Sequence, residues 1–182
     1  MDVAALLASV EASSLAATVR DSLYWFPLIE SAHVLGLAMV FGTIAILDLR
    51  LLGLAWTRRP FTSVASDTLT WTWVAFVLTA VTGVLMFITN AAVYFGNFYF
   101  RTKMILIIVA GINMLFFEMT ARRTVRGWDR DPLAPPAGRA VAALSLLLWI
   151  TIIFAGRWVG FTTTKLTVPE EPGFNIEELL PQ

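Results

Sequence analysis

The chain has one histidine, and it lies one helical turn from an acid: Glu30 and His33, within LIESAHVLGLAM at residues 28–39. Positions three apart share a helix face. There a carboxylate and an imidazole can relay a proton, orient a metal-bound ring or hydrogen-bond each other. Both are costly guests in so apolar a stretch unless something partners them. Met86, Asn90, Arg101, Lys103 and Arg157 are further candidates, each set in another apolar stretch. Convergence of these residues depends on the elements that carry them.

Those elements are set by composition. Hydrophobic residues make up 58% of the 182 and charged residues only 14%, against about a quarter charged in soluble domains. The 13 basic and 13 acidic residues balance, so no bulk charge points to nucleic acid. With no cysteine, disulfides and thiolate sites are excluded. There is no Gly-rich phosphate loop, HExxH or zinc spacing. Four apolar runs, roughly 22–47, 71–95, 98–120 and 140–161, each reach the ~20 residues that a spanning helix needs. A soluble helical domain would have to hide all four. The sequence therefore predicts an all-α fold, an integral-membrane four-helix bundle over 22–161. Residues 1–21, with Val3, Leu6, Leu7 and Val10 at helical spacing, predict a short amphipathic interfacial helix.

Basic residues set the direction of insertion. The first-to-second and third-to-fourth loops hold eight (Arg50, Arg58, Arg59, Arg122, Arg123, Arg126, Arg130, Arg139) and the other side five. Both termini are expected outside, in the periplasm if the membrane is a bacterial inner membrane. The acidic, Pro-punctuated tail at 162–182 is either a solvated end or a docking segment for a periplasmic partner or a neighbouring subunit.

At 1.5 Å per residue, Glu30 and His33 lie roughly 10–15 Å in from the outer end of the first span. Alternating span directions bring Met86, Asn90, Arg101, Lys103 and Arg157 to the same half of the bilayer. A charge at mid-membrane costs at least about 2.5–3.5 kcal/mol on insertion scales, so an ion pair of Glu30 with Lys103 or Arg157 is expected. Arg101 and Lys103 can also snorkel outward. Near the opposite end Asp48 is expected to pair with Arg122 or Arg123. Gly36 and Gly42 suit close helix approach, and Asn113 an interhelical hydrogen bond.

Three roles for His33 follow. It can ligate one b-type haem, with the basic residues holding propionates and Met86 or Met104, a symmetry-related His33 or nothing as the second ligand. With Glu30 it can form a quinone or proton-relay site. Or it is a packing residue bonded to Glu30 or Asn90. The corresponding functions are a membrane anchor or electron-transfer subunit for a periplasmic oxidoreductase, a quinone-interacting subunit, and a non-enzymatic structural or assembly subunit.

The stretches WFPLIESAHVLGLAMVFGTIAILDLRLLG (25–53), FRTKMILIIVAGINMLFF (100–117) and GRW (156–158) resemble an uncharacterised family of small four-helix bacterial inner-membrane proteins. A looser similarity reaches copper-resistance D-type membrane proteins and four-helix cytochromes b, which share an early-helix histidine and a lysine in the third helix. That similarity implies a haem- or copper-related role. The additional histidines of such cytochromes are missing here, and the methionines are scattered rather than clustered.

Overall fold

The structure, a computed structural model, describes the backbone of residues 2–167 and the side chains as far as residue 163. The tail at 168–182, with its expected docking role, lies outside the described residues. Every regular element among the described residues is helical.

The N-terminal segment is two helices, not the single one expected. Helices α1 (Val3–Glu11) and α2 (Ser14–Arg20) meet at a 61° bend. The bend falls where Ser13 caps α2, its hydroxyl accepting from Ala16 N, as a short polar side chain does at a helix start. Arg20 reaches the Thr89 carbonyl and Glu11 accepts from Ala92 N at 2.7 Å, so this segment is bonded to the end of the second span.

Among the described residues four single helices are long and apolar enough to cross a membrane: α3 (Trp25–Leu51), α4 (Phe61–Thr89), α6 (Phe98–Met119) and α7 (Pro136–Thr167). The second differs from its expected bounds, 71–95. It starts after Pro60, whose fixed φ suits a helix entrance, and FTSVASDTLT continues it because Phe61, Val64, Ala65 and Thr68 are buried at helical spacing. It ends at Asn90, at φ −150° and ψ 55°, before the short helix α5 (Ala91–Gly96). Asn97 then opens α6, its side chain accepting from Tyr99 N and Phe100 N at 2.9 and 3.2 Å.

Packing joins α3 to α4, α6 to α7, and α3 to α7. Helices α4 and α6 do not pack along their lengths. Their ends touch through rings: Phe87 stacks on Phe100 at 5.4 Å on the termini side, and Phe61 meets Phe117 edge-on at 5.8 Å on the loop side. Gly36 lets α3 and α4 close; a Cβ there would lie 2.5 Å from Thr79 Oγ1. Gly42 has no such role, with nothing within 4 Å of the same position.

On the loop side, Phe61 also packs on Trp128, whose indole donates to the Ala121 carbonyl at 3.1 Å. Arg50 is fully buried there and ties two loops together. It donates to the carbonyls of Arg59 (2.9 Å), Asp129 (3.2 Å) and Asp131 (3.0 Å). The loop after α3 turns at Gly53, whose φ of 73° and contact with the Pro132 carbonyl both demand glycine.

Candidate functional site

The termini-side residues divide into two groups. His33 and Lys103 turn inward. The His33 ring lies on the bare backbone of Gly83, where a Cβ would be 3.0 Å from Cε1. Its Nδ1 is 3.0 Å from Thr82 Oγ1. The Thr82 hydroxyl also lies 2.7 Å from the Leu78 carbonyl and 3.2 Å from the Thr79 carbonyl; with its proton on either of them, Nδ1–H donates to Thr82 and Nε2 carries the lone pair. Lys103, half-buried, is close enough to act electrostatically on His33. It packs on Gly156 of α7, with the ammonium 3.6 Å from where a Cβ would stand, an ordinary contact distance.

The other candidates do not join them. Glu30 is exposed, and among the described residues it pairs with neither Lys103 nor Arg157. The expected ion pair is absent because Lys103 turns between α6 and α7 while Glu30 lies on the outer face of α3. Burial and then the Glu30 carboxylate push the Tyr94 phenol above its ordinary range. Arg101 is exposed, and so is Arg157, whose guanidinium sits 4.6 Å over the Phe161 ring. Met86 is half-buried, and Asn90 ends α4. Asn113 does form the expected interhelical bond, donating to the Val141 carbonyl at 3.0 Å.

A separate cavity is lined on α3 by Val40, Ile44, Leu47, Asp48 and Leu51, starting about 10 Å along the helix from His33. It has a volume of about 280 Å³ and all four long helices contribute to it. None of the seven termini-side candidates lines it. Asp48 does, 5% exposed, with its Oδ2 lacking any partner. Ser145 from α7 lies beside the carboxyl as a hydroxyl partner, and Asn113 stands nearby in the lining. The expected pairing of Asp48 with Arg122 or Arg123 is not formed. Arg122, just past the end of α6, bonds Glu118 in the last turn of that helix, and both line the cavity. The rest of the wall is apolar and aromatic, with Trp73, Phe76 and Trp149 prominent. A second hollow, between Met39, Thr43 and Trp71, lies on the α3–α4 face. Among the described residues no three His, Asp or Glu side chains group as a metal site.

A family model described as a family of unknown function, DUF6644, matches residues 14–162. The chain belongs to this family. The DUF6644 match starts with α2 and takes in every long helix, so the shared unit is the bundle together with its second N-terminal helix. No curated protein and no solved structure matches the chain.

Sequence reasoning placed Asp48 at a charged exit and passed over Ser145. A usable signal existed: AILDLRLLG sets one acid among apolar neighbours, while Arg122 has Glu118 as a competing partner at helical spacing.

Proposed function

We propose that this DUF6644 chain is a non-catalytic membrane subunit that holds a small, largely apolar molecule inside its bundle at the Asp48 cavity. The observation that carries the reading is a buried carboxyl oxygen with no partner, facing a space that four helices enclose. A buried polar atom left open costs free energy, so structure alone gives no reason to keep it. A volume of about 280 Å³ is near the lower end of ligand pockets, which run from about 300 Å³.

The test uses the whole protein in lipid nanodiscs and an apolar carbene photoprobe, 3-trifluoromethyl-3-phenyldiazirine. Labelling is expected on the lipid-facing Ile108 and Phe154, and also on the cavity residues Val141 and Ser145. Gly111 lines the cavity, and nothing lies within 4 Å of a Cβ placed on it. Gly111→Phe should therefore fold and erase the cavity labels alone. Equal cavity labelling in the plugged variant would refute the reading.

A second reading keeps one b-type haem on His33. It is supported by the Thr82 bond, which holds the ring as ligating imidazoles are held, with Nε2 left to bind iron. The likeness to copper-resistance D-type proteins and cytochromes b points the same way, and Lys103 beside His33 suits a propionate. Bound haem would supply one-electron chemistry; the chain's part is to orient the ring through Thr82. A Soret band lost in His33→Ala supports this reading, and purified protein without the band removes it. In either case we place the loops in the cytoplasm of a bacterial cell, because eight basic residues flank them against five on the other side.

A further inference from the structure

We infer that the molecule held at Asp48 is a neutral aromatic amphiphile with a hydrogen-bond-donating head, of the hydroquinone class, and that it enters from the bilayer between α4 and α6. This rests on the cavity reading above and names its ligand.

Charge narrows the choice first. The ionisable side chains lining the cavity are Asp48, Glu118 and Arg122. Arg122 is engaged by Glu118, so no cation remains for a fatty-acid or phosphate head, and an anion would face two carboxyl groups. A permanent lipophilic cation would have its counter-ion in Asp48, but it would lose its own hydration on the way. A neutral hydroxyl is spared both costs. It donates to the open Oδ2, while Ser145 keeps its place beside the same carboxyl.

Shape narrows it further. Trp73, Phe76 and Trp149 offer ring faces and edges, and Gly111 leaves the α6 wall without a side chain. Such walls suit a flat ring, for which offset or edge-on contacts are favourable. The volume takes a single substituted ring and not a macrocycle.

The route follows from the packing. Two aromatic contacts, Phe87–Phe100 and Phe61–Phe117, close the ends of the gap between α4 and α6. Between them Trp73, Phe76 and Met114 are exposed on the flanking helices. In a membrane those surfaces meet acyl chains. A molecule dissolved among the chains reaches Asp48 without crossing water, and its tail stays in the gap.

The same nanodiscs and photoprobe test this by competition. Decylubiquinol should protect Val141 and Ser145 from labelling while Ile108 and Phe154 stay labelled. Asp48→Asn should leave uncompeted labelling intact but raise the decylubiquinol needed for half-protection about tenfold, the loss of one hydrogen bond to a charged group. Better protection by palmitate or tetraphenylphosphonium overturns the neutral-head assignment. Equal protection by decylubiquinone overturns the donor assignment, and an unshifted Asp48→Asn overturns the role of the carboxyl. If cavity labelling is present but no quinol protects, the hydroquinone class falls and the cavity reading stands. If cavity labelling is absent, both fall.

Discussion

The two ends of the bundle treat polar side chains in opposite ways. On the termini side they close on neighbours. His33 bonds Thr82, Asn97 donates to Thr162 at 2.7 Å, and Arg20 reaches the Thr89 carbonyl. On the loop side the two most deeply placed charged residues, Asp48 and Arg50, each keep one atom without a partner. The pair also differ from each other. Arg50 spends its other donors on three loop carbonyls, whereas Asp48 faces open space. A satisfied polar group fixes helices in place, and an open one beside a cavity marks where something else binds.

Disrupting Arg50 gives the largest effect. Arg50→Met retains an unbranched side chain but orphans the Arg59 and Asp131 carbonyls at about 1–3 kcal/mol each, while Asp129 keeps the Phe61 N–H, so a loss of about 2 kcal/mol or more is expected. Thermal unfolding in nanodiscs measures it. A loss below about 1 kcal/mol would mean that water replaces the arginine and that this end is not locked.

Gly36→Leu comes next. The new side chain collides with Thr79, and overpacking costs about 1–3 kcal/mol. Gly42→Leu, with nothing within 4 Å of its Cβ position, should be neutral in the same assay. Equal losses at both positions would show that the close approach of α3 to α4 is not centred on Gly36.

His33→Phe tests the termini side more finely. It keeps a ring on Gly83 and removes one interhelical hydrogen bond, which inside membrane proteins averages about 0.6 kcal/mol. A much larger loss would mean that His33 is bound to more than Thr82.

The contrast between the ends also explains what could be read in advance. Four spans were legible because roughly 20-residue apolar runs have few other uses. Bounds were less so: 61–70 reads as polar, yet Phe61, Val64, Ala65 and Thr68 continue α4 through burial that only the loop-side core provides. Of the expected termini-side cluster, only Lys103 comes close enough to act on His33. Facing was not legible. A rise of 1.5 Å per residue gives height, but rotation about each axis depends on which positions admit a neighbour, and bare Gly83 admits the His33 ring. Partner choice was hidden for a similar reason. Glu118 captures Arg122 locally, which leaves Asp48 without the cation its position suggested.

The smallest stability effect is expected where the binding effect is large. Asp48→Asn has nearly the shape of aspartate and still accepts from Ser145. The carboxyl it replaces has no ion pair to lose, so the usual penalty for breaking a buried pair, about 3–5 kcal/mol, does not arise. A neutral amide also costs less to bury than an ionised carboxyl would. Thermal unfolding should therefore move by less than about 0.5 kcal/mol, within the range of substitutions that touch no structural contact, or rise. A strongly destabilised Asp48→Asn would show that the carboxyl holds helices together as Arg50 does. The difference between these two loop-side residues would then vanish, and with it the reason to look for a ligand in the space beside Asp48.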